Sequence, residues 1–188
     1  RLPPVSGEVR RVIRTLAPVA GFDLVFSSPK SVSLLHALGD ERQRFLVGQA
    51  HLAAWQAALA YLEAEACVVR RGKNGVVRER GRGFVAAAYQ HRTSRALEPQ
   101  LHTHVLVGNL AQGADGCWRA LDGELLLKTH RVAAGALYQA QLRHELSQAL
   151  GVRWREAVHG LAEIEGVPDA VLRVFSSRRA QLLEHLER

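Results

Sequence analysis

The residues with the most chemistry in them are histidines. His102 and His104 stand two apart in the run Leu101-His102-Thr103-His104-Val105-Leu106-Val107, and His91 precedes them across a short polar stretch. Neutral imidazoles are borderline-soft nitrogen ligands, and three of them leave coordination positions open, the arrangement of a catalytic rather than a structural metal. The competing reading is an H-x-H pair on a strand surface with His91 as a loop residue, and a motif this short does not separate the two by itself.

Bringing three imidazoles together asks something of the elements that carry them. His102, His104, Leu106 and Gly108 alternate with Thr103, Val105, Val107 and Asn109, a strand pattern rich in β-branched residues. Side chains two apart on a strand share a face, about 6–7 Å apart along the backbone, so both imidazoles can reach one ion. His91 closes a second β-like run, residues 83–90, and the loop 92–100 with Pro99 inside it lets the chain fold back and bring His91 alongside.

The rest of the chain narrows the class. At 188 residues, with 47% hydrophobic and 23% charged residues, it fits one globular domain with a substantial core. No apolar run approaches the roughly 20 residues of a membrane span, and the N-terminal residues show no signal-peptide core. Cys67 and Cys117 are too few and too isolated for a disulfide framework or a cysteine zinc site, and their apolar settings predict two buried thiols in a reducing cytoplasm. The net charge of +7 and the pI near 10.2 favour a polyanionic partner. Between Cys67 and Leu97 stand eight bases, Arg70, Arg71, Lys73, Arg78, Arg80, Arg82, Arg92 and Arg95, against the single acid Glu79. A charge run is commonly a solvated hairpin face; here it leads into the histidines, and a phosphate backbone beside a metal accounts for both. The glycine-rich pieces lack Walker or dinucleotide spacing.

In order, residues 1–20 form a basic, proline-broken lead-in with a short helix near residues 8–16. A strand over 21–26 follows, then a helix over 29–38 capped by Ser28. A long helix over 40–66 is expected to bury Phe45, Leu46, Leu52, Trp55, Leu59 and Leu62, with His51 on its polar side. Residues 67–71 and 76–90 make a hairpin around Gly72-Lys73-Asn74-Gly75. The histidine strand runs on to about Gln112 and pairs through Ala114-Asp115-Gly116 with residues 117–120. A helix from Asp122 to Leu150 ends at Gly151, residues 152–165 form a closing hairpin or loop, and an amphipathic helix over 168–186 ends the chain. His36, His130 and His144 are expected in surface or packing roles. The sum is an α+β fold, an antiparallel sheet with helices packed on one face. The chain has no methionine, even at position 1, and is expected to be a fragment of something longer.

Three stretches together resemble a known family: residues 22–34 (FDLVFSSPKSVSL), residues 91–109 with their H-x-x-S-R-x-x-x-P-x-L-H-T-H core, and residues 116–120 (GCWRA) leading to the helix with Tyr138 and His144-Glu145-Leu146. A fainter match covers residues 166–179. The pattern resembles the relaxase domain of conjugative plasmids, the MobF branch of the HUH endonucleases, over nearly all of the chain from Gly21 onward. One departure is conservative, Glu98 where the family often has Asp before the Pro. The other is serious. The family's nucleophile is a tyrosine near the N-terminus, and this chain offers only Tyr61, Tyr89 and Tyr138, none of them equivalent.

The resemblance implies a palm-like sheet on which His91, His102 and His104 hold one divalent cation against the scissile phosphate of single-stranded DNA. It implies attack by a tyrosine outside this sequence, retained as a phosphotyrosine so that the ends can be rejoined. Asp23 is placed beside the metal histidines, to fix an imidazole tautomer or to accept the tyrosine's proton; a salt bridge to an arginine is the structural alternative. Arg95 and Lys30 are candidates for phosphate contacts near the cleavage point. Arg70, Arg71, Lys73, Arg78, Arg80, Arg82 and Arg92 are expected along the DNA backbone. Three imidazoles favour zinc, nickel or copper in vitro, whereas phosphoryl transfer in cells runs on magnesium or manganese. The implied partners are single-stranded or hairpin DNA at a plasmid transfer origin, a fused C-terminal helicase and other relaxosome proteins, in a bacterial cytoplasm. Two rivals stand beside this reading: a relaxase-like module that binds metal and DNA without cleaving, and a small-molecule metalloenzyme of cupin type, which also uses H-x-H on a strand.

Overall fold

The computed structural model describes residues 19–177. The expected helix near residues 8–16 lies outside them, as does the end of the C-terminal helix. A three-stranded antiparallel sheet is built from β1 (Gly21–Ser27), β4 (Ala86–Thr93) and β5 (Pro99–Gly108), with β5 in the middle and the order β1-β5-β4. Along β5 the faces separate cleanly. Leu101, Thr103, Val105 and Val107 are at most 1% exposed, and the residues between them point the other way. The helices α1 (Lys30–Leu38), α2 (Glu41–Ala66) and α3 (Arg131–Leu150) cover the buried face. The sequence expectation of helices on one face of an antiparallel sheet is met.

Side chains satisfy the first backbone N–H groups of α1 and α2. At α2 the Asp40 carboxylate accepts from the Gln43 N–H at 2.7 Å, and the Gln43 side chain accepts from the Asp40 N–H at 3.0 Å, a reciprocal capping box. Ser28 does not cap α1. Its hydroxyl is drawn into the core, bonded to Ser33 Oγ and to the Leu101 carbonyl. The distant Glu163 takes its place, accepting from the Lys30 and Ser31 N–H groups at 3.3 and 2.7 Å. A carboxylate there also complements the positive end of the helix dipole.

The long helix α2 buries a different arc from the one its large apolar residues suggest. Val47, Ala50, His51, Ala54, Ala58, Leu62 and Ala66 face inward, Trp55 and Leu59 pack at the flank, and Phe45 is 63% exposed. The cause is α3, which lies along α2: alanines let two helices approach, while a large ring on that arc would hold them apart. His51 therefore sits in the core rather than on the polar side.

Two small ribbons flank the sheet. β2 (Val68–Arg71) pairs with β3 (Val77–Arg80), and β6 (Ala111–Gln112) with β7 (Trp118–Arg119). The run expected from 76 to 90 is thus two strands in different sheets, and the histidine strand stops at Gly108 before β6. Gly81 forces the first break: a Cβ there would meet Cys67 Sγ at 2.8 Å, so the chain can pass this close only as glycine. Cys67 is buried as expected, but Cys117 is exposed, because β6 and β7 are too short to cover the turn that carries it.

The helix expected over 122–150 begins as a π-helical turn, Leu125–His130, and continues as α3. Asp122 accepts from the Leu125 N–H at 3.3 Å, and Gly151 closes α3 in the left-handed conformation, φ 64°. Residues 152–165 fold back on themselves through the bridges Trp154–Ile164 and Val158–Leu161. A short α4 (Asp169–Val174) follows.

Candidate metal centre on the open sheet face

The face of the sheet turned away from the helices carries the histidines. In register, His91 of β4 lies opposite His102 of β5, and Tyr89 opposite His104, so all four side chains share that face with Val25 and Asp23 of β1. The three imidazole centroids are 5.1, 5.2 and 5.2 Å apart, and one nitrogen from each lies within 4.8 Å of the others. His91 is inside β4, two residues from its end, rather than at a loop margin. The hairpin from Thr93 to Pro99 makes this possible, with Leu97 at φ 59°.

Two of the rings are held in one tautomer. His104 Nδ1–H donates to the Asp23 carboxylate, 2.8 and 3.0 Å from its two oxygens, and His102 Nδ1–H donates to the Gln100 carbonyl at 2.9 Å. In a neutral ring bonded this way Nε2 is the nitrogen left with a lone pair. This is the outer support that metal-bound imidazoles commonly have, and the donor set fits one divalent ion: three neutral nitrogens on a solvent-facing surface with room for further ligands. Among the described residues Asp23 touches the histidine and not an arginine.

Beneath the site lies a group of residues that the sequence did not advertise. His51, 0% exposed, bonds the Tyr138 hydroxyl through Nδ1 at 2.9 Å and the Thr103 hydroxyl through Nε2 at 2.8 Å. Thr103 is the residue between His102 and His104, so the helical layer grips the metal strand from behind. Burial pushes the Tyr138 phenol up and the His51 imidazole down to about 4. With a neutral ring, one hydroxyl donates to His51 and the other accepts from it. A periodic core arc, 47-51-54-58-62, was the only signal, and a histidine in it reads as polar.

The expected DNA contacts are scattered in their surroundings. Lys30 Nζ donates to the Pro99 carbonyl at 2.9 Å, and burial lowers its pKa. Arg78 pairs with Asp122 at 2.7 Å and Arg71 with Glu79 at 3.6 Å; Arg80 donates to the Ala64 carbonyl and Arg82 to that of Ala114 at 3.1 Å. Arg70 and Lys73 stay exposed at the tip of the β2–β3 ribbon, and Arg95 stands exposed in the β4–β5 turn.

Comparison with known proteins places the chain in a family. The TrwC relaxase family model matches residues 3–188. The chain belongs to the TrwC relaxase family. The multifunctional conjugation protein TraI of Escherichia coli is 38% identical over 176 residues, covering 87% of this chain and 9% of that protein. The conjugative relaxase TrwC in complex with oriT DNA, metal-free, superposes with a TM-score of 0.78 at 34% identity over 95% of this chain and 62% of its own. Its copper-bound complex with oriT DNA gives 0.77 at 36% identity, covering 95% and 61%. The chain thus spans about three fifths of the TrwC chains and a small part of TraI. The MobF relaxase resemblance and the α+β fold read from the sequence both hold.

Proposed function

We propose that this TrwC-family chain holds the metal and the DNA strand in a relaxase that nicks and rejoins single-stranded DNA at a plasmid transfer origin, in the bacterial cytoplasm. The observation that carries the proposal is the convergence of His91, His102 and His104 on an open face, with Asp23 and Gln100 fixing two of the rings. A divalent ion there, magnesium or manganese in the cell and zinc, nickel or copper in vitro, would polarise the scissile phosphate and neutralise charge gathering on its oxygens. His102 and His104 present Nε2 toward it and stay aligned because Thr103 is tied to His51. Asp23 accepts the hydrogen bond from Nδ1–H of His104 and fixes the orientation of that ring. Tyr89, 54% exposed beside His104, offers a flat face on which a base of the strand can stack. Arg70, Lys73 and Arg95, exposed and without a side-chain partner among the described residues, can turn their charges to the backbone.

The nucleophile comes from elsewhere. Tyr138 is buried with its hydroxyl on His51, and Tyr61 bonds His130 Nδ1 at 2.9 Å. With Tyr89 of β4 read as a stacking platform rather than the nucleophile, the chain by itself is expected to bind metal and strand without cutting. The arrangement also disfavours a cupin-type enzyme, whose metal would lie inside a barrel rather than on an open sheet. Isothermal titration of His102→Ala/His104→Ala with manganese or zinc should show metal uptake abolished while circular dichroism stays that of the parent. Uptake equal to the parent's would place the metal elsewhere.

A further inference from the structure

Alternation along β4 sends His91 to the open face and Arg92 to the reverse side. There Arg92 and Thr93 line a cavity of about 260 Å³ whose other walls are His36 and Ala37 from the end of α1, Arg44 in the first turn of α2, and Pro99. His36 is 5% exposed, and burial together with the charges of Arg92 and Arg44 holds its imidazole below the ordinary range. Among the described residues no carboxylate lines this cavity, and no side-chain hydrogen bond or ion pair engages His36, Arg44 or Arg92. Elsewhere Arg71, Arg78, Arg119, Arg153 and Arg155 each face an acid. Two guanidiniums turned toward one concavity repel one another until an anion enters.

We propose that this cavity is a second phosphate site, taking a phosphodiester of the DNA strand after it leaves the histidine face. The inference rests on the reading of the chain as a DNA-holding relaxase. Among the described residues β4 is the outer strand in the order β1-β5-β4, so a strand lying on His91 can pass over that edge to Arg92 without crossing another of them. Arg44 and Arg92 supply forked, charged donors suited to phosphate oxygens, and His36 adds a neutral ring N–H. Arg92 is then a cavity residue facing away from the metal, and His36 is a ligand rather than a packing residue.

The test is the salt dependence of single-stranded oligonucleotide affinity, followed by fluorescence anisotropy on the full chain with manganese present. Each phosphate neutralised on a single strand contributes a slope of about −0.7 to log K against log[salt]. Arg44→Ala/Arg92→Ala should bind more weakly with a slope shallower by about 0.7, whereas Arg42→Ala, which removes one charge on the same helix end outside the cavity, should keep the parent slope. Inorganic phosphate titrated into the chain should move the His36 ring resonance in NMR, and the double variant should lose that movement. Oligonucleotide binding with an unchanged slope in the double variant, and no His36 response, overturns the site and leaves the function standing. If the parent binds no oligonucleotide, the function falls, and the phosphate titration alone decides the cavity: a His36 response abolished in the variant retains it, and none removes it.

Discussion

An imidazole enclosed between two hydroxyls and the aromatic ring of Tyr138 has one favourable charge state, the neutral one. His51 is in that position, and its desolvation brings its pKa down to about 4 from 6.5. The unfolded chain therefore takes up a proton that the folded chain refuses. The stability this group contributes is complete above about pH 6.5, falls as pH drops, and is gone near pH 4, a loss on the order of 3 kcal/mol. Urea unfolding at about pH 7.5 and about pH 4.5, on the parent and on His51→Gln, should show the parent losing more stability than the variant. An equal loss in both would mean that His51 does not titrate between those limits. His91, His102 and His104 were legible as a group because their type and spacing are unusual, and Asp23 only through what the family resemblance implies. His51 was not, because only the packing of α2 on α3 turns a polar residue inward.

At the scale of elements, the β2–β3 ribbon separates two roles that one run of bases concealed. Arg78 reaches Asp122, which is 1% exposed and caps the turn leading into α3, so this pair ties the ribbon to the helical layer. Removing Arg78 leaves a buried carboxylate without its partner. Because Arg78 itself is 59% exposed, water and salt soften the loss, and Arg78→Ala should cost about 1–2 kcal/mol in urea unfolding. Arg70→Ala and Lys73→Ala, at exposed positions of the same ribbon, should stay within about 0.5 kcal/mol of the parent. Equal stability of all three variants would show the Arg78–Asp122 pair to be dispensable. The reassigned boundaries belong to this scale as well. Residues 76–90 looked continuous because local propensity does not register the Cys67 sulfur that forces Gly81 and ends β3.

The whole molecule is a sheet with one covered and one open face, and its chemistry follows from that asymmetry. The helices take the apolar side, the histidines occupy the other, and no helix among the described residues is long and apolar enough to cross a membrane. Of the three tyrosines, Tyr89 alone shares the open face with the metal site, and it stands beside the histidines as a strand residue of β4. Incubated with manganese and a labelled single-stranded oligonucleotide, the chain should give no covalent adduct on a denaturing gel. An adduct mapping to Tyr89 by mass spectrometry would make that residue the nucleophile and the chain a complete enzyme.

The sequence by itself picked out His91, His102 and His104 as one group, the shared face of His102 and His104 on β5 and the class of the fold. All of these are written in residue type and in periods of two or about four, and local chemistry sets those periods. Only the tertiary structure decided that Glu163 caps α1, that His51 anchors Thr103 behind the metal strand, that alanines rather than large rings line the α2–α3 contact, and that Arg92 turns away from the metal toward His36 and Arg44. Each of these depends on which distant segment arrives at a given surface. Burial and partner, not the residue alone, fix what a side chain does there.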